Sequence, residues 1–170
     1  GEFRVSRVFA EGARRHRILL SARGRRKLSD YGGYDVAELG DAVIGVPDPR
    51  PEPVRTYGAL TEDQVRQMSY AAGYEMRWPG VGELNLGITR TDYRKTVTQP
   101  GQAADTRRDR PWLWNAALAI TPTDRLTLYG ATTRGLEESG TAPGNATNRN
   151  EALPALRTRQ KELGLRYAFP

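Results

Sequence analysis

The feature that most constrains the fold is a strict two-residue alternation of apolar and polar side chains in residues 67–78. This alternation is typical of a β-strand with one apolar face. The apolar positions are Met68, Tyr70, Ala72, Tyr74, Met76 and Trp78, and they are separated by Gln67, Ser69, Ala71, Gly73, Glu75 and Arg77. After a breaker cluster at 79–82 the alternation resumes in residues 84–89, which predicts a hairpin.

The same design recurs along the rest of the chain. Residues 112–120 and 126–131 form a second alternating pair. Further alternating stretches lie at 3–9, 16–27 and 162–169. We therefore predict an all-β fold, in which about seven strands form an antiparallel up-and-down meander, and no helix.

The connections between these strands alternate in length. Short turns are expected at about 10–13, 79–82 and 121–124, and long loops at about 28–64, 97–110 and 135–158. Because an antiparallel meander places successive connections at opposite ends, all short turns should share one end. Outer-membrane barrels have this asymmetry, with short periplasmic turns and long extracellular loops. We therefore expect residues 1–170 to form one partial barrel segment, with its apolar face toward lipid.

Composition excludes several other classes of protein. No stretch of the 170 residues approaches the roughly eighteen consecutive apolar residues of a transmembrane helix. A mean hydropathy of −0.66 does not oppose a barrel, because barrel strands alternate apolar and polar residues. The chain has no cysteine, so disulfides and thiolate metal sites are excluded.

No catalytic residue, metal site or cofactor is predicted, and we do not expect an enzyme. His16 lies in a basic run and has no partner at ligand or triad spacing, so we expect it to be exposed to solvent. Glu137 and Glu138 point apart on an extended chain, and we expect solvated loop acids rather than an acid–base pair.

The net charge of +6 does not predict nucleic-acid binding. The basic residues are spread over many strands and are interleaved with Asp and Glu. The chain also offers neither a recognition helix nor an aromatic stacking platform. We therefore expect no nucleic-acid partner.

Residues 126–169 carry several short motifs in a fixed order. They are Leu-Tyr-Gly at 128–130, Arg-Gly-Leu-Glu at 134–137, Ala142-Pro143, the Asn148-Arg149 neighbourhood, Leu-Pro-Ala at 153–155 and Arg-Thr-Arg-Gln at 157–160. This segment resembles a passage in the β-barrel of TonB-dependent outer-membrane receptors, particularly the ferric-siderophore receptors.

The resemblance implies a protein of the bacterial outer membrane that binds a ferric siderophore or a similar scarce ligand. It further implies uptake driven by TonB through a plug domain, which this chain does not contain. Transporter-sized barrels have about 22 strands, so we expect this chain to be an internal piece of such a barrel.

Four residues are candidates for ligand binding. Arg134, Arg157 and Arg159 would lie near the outer mouth, where guanidinium groups suit the carboxylate or catecholate oxygens of an anionic chelate. The alternative is that these arginines pair with acids and stabilise the barrel wall. Tyr57 lies in the first long loop, which is either a spacer or a ligand contact.

Two other functions remain open from the sequence. One is an outer-membrane barrel with another role, such as an adhesin, a porin-like channel or a lipid-modifying enzyme. The other is a soluble all-β binding module, in which the apolar faces would pack into an ordinary core.

Overall fold

The computed structural model describes residues 1–143, 145–148 and 151–169, and its regular structure is all β. The strands are β1 (Glu2–Glu11), β2 (Arg14–Gly32), β3 (Leu60–Trp78), β4 (Gly82–Thr98), β5 (Asp105–Asp109), β6 (Trp112–Thr123), β7 (Leu126–Glu137) and β8 (Leu156–Tyr167). Within these ranges no helix has the length and hydropathy that a membrane-crossing helix requires.

All eight strands belong to one antiparallel sheet. Its order is β1-β2-β3-β4-β6-β7-β8, and β5 pairs with β4 beside this path. The predicted all-β antiparallel meander is therefore confirmed, and its continuous path has seven strands. β5 is the element that the sequence did not predict, because residues 105–109 lie in what was expected to be a long loop.

The strands extend beyond the apolar stretches that predicted them. β2 and β3 have 19 residues each and remain paired from Arg15 opposite Arg77 to Gly32 opposite Leu60. Their connection is consequently residues 33–59. At the other end of the sheet, β6 continues to Thr123 through an irregularity after Ile120, and the turn lies at 124–125.

The register divides the side chains between two faces, because residues directly opposite in antiparallel strands share a face. One row across the sheet is mainly apolar and consists of Phe9, His16, Met76, Leu84, Leu118, Gly130 and Leu163. The row one residue away is more polar and consists of Val8, Arg17, Glu75, Asn85, Ala117, Ala131 and Glu162. We call the corresponding surfaces the apolar face and the polar face.

The side chains of the two faces differ in their exposure to solvent. Large side chains of the apolar face are exposed, among them Tyr70 at 57% and Leu163 at 89%. On the polar face, Val65 and Tyr93 are buried with Ala155 in a small cluster. The buried core therefore lies between the polar face and the segment that joins β7 to β8, and the exposed apolar face is typical of a surface that contacts lipid or another protein.

His16 is not the solvent-exposed residue that the sequence predicted. It is 6% exposed, its Nδ1 lies 2.8 Å from the Tyr74 hydroxyl oxygen, and its ring stacks on Phe9 at 4.9 Å between centroids. The register explains the difference, because His16 lies on the apolar face between these two aromatic rings.

Candidate ligand-binding surface

The segment that joins β7 to β8 crosses the polar face and is fixed there by Lys95; its described residues are 138–143, 145–148 and 151–155. The Lys95 side chain is 1% exposed, and its Nζ lies 3.1 Å from Oδ2 of Asp63. The same Nζ donates hydrogen bonds to the carbonyl oxygens of Ser139 at 2.8 Å and Gly140 at 3.0 Å. An ammonium group has three N–H donors, so Lys95 uses all of them to join β4, β3 and the start of this crossing segment.

Glu138 forms a second attachment. Its carboxylate accepts hydrogen bonds from Lys27 Nζ at 2.9 Å and Arg25 Nη2 at 3.0 Å, both on β2. Burial alone would raise the pKa of Glu138, but the hydrogen bond from Lys27 and the charges of Lys27, Arg25 and Lys95 outweigh it and lower that pKa. The prediction of a solvated acid is therefore wrong for Glu138, because the crossing segment folds back over β2.

The returning half of the crossing segment is held by β5. Arg107 Nε donates to the carbonyl oxygen of Ala152 at 3.1 Å, and the Ala152 N–H donates to Asp105 Oδ2 at 2.9 Å. Arg107 also forms an ion pair with Glu151. The short strand that the sequence missed thus provides the third attachment, and the crossing segment lies clamped between β2, β4 and β5.

Below the crossing segment the polar face has a depression lined by three arginines and three glutamates, and we call it the arginine depression. Arg4, Arg23 and Arg25 line it from β1 and β2, and Gln67 and Thr91 line it from β3 and β4. Glu2 pairs with Arg4 and Glu138 pairs with Arg25, so Arg23 is the one of these three arginines without an ion-pair partner among the described residues. Arginine forks with nearby amide and hydroxyl groups can bind an oxygen-rich anion through several hydrogen bonds. Within the described ranges, no group of three or more His, Asp or Glu side chains could hold a metal ion directly.

The structure does not bring the three predicted arginines into one cluster. Arg157 Nη2 lies 2.5 Å from Oδ1 of Asp109. Trp114, Arg134 and Arg159 lie in one row, and the Arg159 guanidinium is 5.9 Å from the centroid of the Trp114 ring. That row continues to Ile88 and belongs to the apolar face. Tyr57 lies in the long connection 33–59, where it is 70% exposed.

Sequence reasoning missed the buried Lys95 attachment and the arginine depression. Lys95 and Ser139 are 44 residues apart in sequence, so no local pattern connects them. The depression had a partial signal, because Arg23 and Arg25 are two residues apart on a predicted strand and must therefore share a face.

Comparisons with known proteins agree with this architecture. The sequence matches the family model for the β-barrel of TonB-dependent receptor-like proteins over residues 7–170. A search of curated proteins finds no match.

Two solved receptors are similar in structure. The ferric preacinetobactin receptor BauA from Acinetobacter baumannii has a TM-score of 0.66 and 22% identity, and the match covers 94% of this chain and 25% of BauA. The closed form of the ferric-catecholate import receptor Fiu from Escherichia coli K12 has a TM-score of 0.74 and 16% identity, and the match covers 98% of this chain and 28% of Fiu.

At these identities the two structures show a shared fold, and the chain spans only 25% and 28% of their lengths. The family match, in contrast, covers nearly the whole sequence, from residue 7 to residue 170. This family consists of receptors and transporters rather than enzymes, and its barrels reside in the bacterial outer membrane. The chain belongs to the β-barrel family of TonB-dependent receptors.

Proposed function

We propose that this chain is a wall segment of an outer-membrane receptor that binds a ferric siderophore or a similar anionic chelate and imports it with energy from TonB. The observation that carries the ligand class is Arg23, which lines the depression below the crossing segment and has no ion-pair partner among the described residues. The printed functions of BauA and Fiu support the choice of a ferric chelate. TonB coupling would act through a plug domain outside this chain.

This function requires a particular orientation in the outer membrane. The segments 33–59 and 99–104 and the described residues of the crossing segment would face the exterior, and the turns at 12–13, 79–81 and 124–125 would face the periplasm. The polar face would line the interior of a barrel of about 22 strands, and the apolar face would contact lipid. In this orientation the crossing segment lies over the path of an incoming ligand.

In this proposal, the four candidate residues predicted from the sequence act at the outer mouth of the barrel. Arg134, Arg157 and Arg159 would attract an anionic chelate over a distance, which depends on their charge and not on the direction of each side chain. Tyr57 would contact the chelate from the exposed connection 33–59. The final contacts would be made with Arg23 in the arginine depression.

The two proposed steps are attraction of the chelate at the mouth and binding in the depression. Both are tested in the full-length receptor by measurements of ligand binding and uptake. The probes are an anionic ferric tris-catecholate and a neutral ferric tris-hydroxamate, both with radioactive iron. For the depression, Arg23→Ser should weaken catecholate binding by about tenfold or more, because a charged hydrogen bond contributes about 1.5–3 kcal/mol. Arg15→Ser is the matched control, since Arg15 lies on the same strand and face at the opposite end.

For the mouth, charge reversal of Arg134, Arg157 and Arg159 to Glu should slow catecholate association by about tenfold at low salt. The difference should shrink at high salt, because screening shortens the range of the attraction. Reversal of Arg14, Arg15 and Arg125 makes the same change of charge at the other end and should have little effect. Unchanged binding in both Arg23→Ser and the triple reversal would refute the proposed ligand class.

A further inference from the structure

Four arginines lie directly opposite one another on four neighbouring strands. Arg26 of β2 faces Arg66 of β3, Arg66 faces Arg94 of β4, and Arg94 faces Arg108 of β5. We call this row the arginine ladder. Directly opposite residues have Cβ atoms about 5 Å apart, so the Cβ atoms of the four arginines form a row about 14 Å long.

The arginine ladder lies on the apolar face, at the edge of its apolar band. Alternate residues of a strand share a face, so Arg66 projects on the same side as Met68 and Tyr70. Gly24 and Met68 border the ladder on the apolar side, where they line a shallow depression with all four arginines. The ladder is therefore separate from the arginine depression on the polar face, and it marks the end of the apolar band nearest the long connections.

The charge of the ladder is only partly balanced. Asp92 accepts hydrogen bonds from Arg108 at 3.1 and 2.9 Å and from Arg110 at 2.9 Å. The same-face acids Asp30 and Glu62 lie four residues farther along β2 and β3, beyond a row of uncharged side chains. Like charges directly opposite in a sheet are destabilising, and an anion that contacts several of them would remove this cost.

We propose that the arginine ladder binds the phosphate groups of a multiply phosphorylated lipid of the outer leaflet, whose acyl chains lie along the apolar face. Guanidinium forks hold phosphate oxygens through paired hydrogen bonds. A lipid fits better than a soluble anion, because the apolar side chains continue directly from the ladder. This inference rests on the proposed outer-membrane location and concerns a surface that the imported chelate does not touch.

The test uses the full-length receptor in phosphatidylcholine nanodiscs with a small fraction of a bis-phosphorylated glycolipid. Native mass spectrometry, in the presence of a chelator of divalent cations, measures the lipid that stays bound. The double variant Arg66→Gln/Arg94→Gln should retain at least about tenfold less of this lipid than the parent, because two charged contacts are lost. The dephosphorylated glycolipid should be retained by neither protein.

Two further variants and one competitor make the result decisive. Arg15→Gln/Arg125→Gln removes the same charge at the opposite end of the sheet and should retain lipid like the parent. Arg94→Lys keeps the charge but loses the fork, so it should retain an intermediate amount. Inorganic phosphate at equal concentration should not displace the lipid, and displacement would show a site for free anions instead.

Equal retention by the double variant and the parent would overturn the proposal. Uptake of the ferric tris-catecholate is measured in parallel, because its expected outcome is independent. A double variant that loses lipid but imports normally supports the lipid site, whatever the receptor transports. A receptor that imports no chelate but still retains the lipid through the ladder would refute the proposed function alone.

Discussion

Lys95 shows how one buried charge can position a long segment. Its ammonium group contacts Asp63 and two carbonyl oxygens of the crossing segment, and it is almost fully removed from solvent. A buried ion pair contributes little net stability compared with an apolar pair, but removal of one partner leaves the other charge uncompensated. Lys95 therefore positions the crossing segment, and we expect its substitution to open that segment rather than to change a ligand contact.

We expect Lys95→Met to lower the free energy of opening of the crossing segment by about 3–5 kcal/mol, because Asp63 would then be buried without its partner. Hydrogen–deuterium exchange of the amides of residues 138–143 measures this opening. Lys161→Met is the control, since Lys161 is exposed on β8. Equal protection in Lys95→Met and the parent would show that the segment is held by its other contacts alone.

At the scale of the element, sequence patterns predicted strands well where one face is apolar and poorly where both faces are polar. Residues 67–78 alternate clearly and lie within β3 as expected. β5 has the sequence Asp-Thr-Arg-Arg-Asp, which contains no apolar residue, and its pairing with β4 depends on backbone hydrogen bonds that no periodicity reveals. The outer extensions of β2 and β3 escaped prediction for the same reason.

The sites were less predictable than the strands, because they depend on register. The arginine ladder combines residues from four separate segments, and a shift of one residue in any pair would move an arginine to the other face. No sequence pattern predicts that the crossing segment folds back over the polar face. Arg134 and Arg159 were expected near an outer mouth, but nothing in their local pattern indicated that they would lie beside Trp114.

The attachment of the crossing segment should depend on pH through Glu138. Because its pKa in the folded chain is below the reference value of 4.5, its stabilising contribution is fully present above 4.5 and is lost as the pH falls through the folded pKa. A spin label on a cysteine at Thr147 reports the motion of the segment, and the chain has no other thiol. We expect constant mobility from neutral pH down to about 4.5 and increased mobility below it.

The matched variant Glu138→Gln tests whether this effect comes from Glu138 itself. It cannot form the charged contacts with Arg25 and Lys27, so its label should already be mobile at neutral pH. Glu137→Gln, which changes the exposed neighbour, should behave like the parent. If the label is equally immobile in Glu138→Gln and the parent at neutral pH, the Glu138 contacts do not hold the segment.

At the scale of the whole molecule, one antiparallel path separates two chemically different ends. The turns at 12–13, 79–81 and 124–125 connect strands at one end, whereas residues 33–59 and 138–155 connect them at the other. The apolar face runs between these ends and is exposed. In a bilayer the strands would cross the hydrocarbon layer, where they pair their backbone N–H and C=O groups with one another, and the two ends would lie on opposite sides of that layer.

The orientation of these ends can be measured in intact cells with a charged maleimide that does not cross the outer membrane. In the full-length receptor, cysteines at Val54 and Thr147 should react, because both positions are exposed in the connections that we place outside. A cysteine at Asp124 should react only after the outer membrane is permeabilised, since its turn would face the periplasm. Reaction of Asp124→Cys in intact cells, or protection of both loop cysteines, would contradict this orientation and with it the proposed route of the ligand.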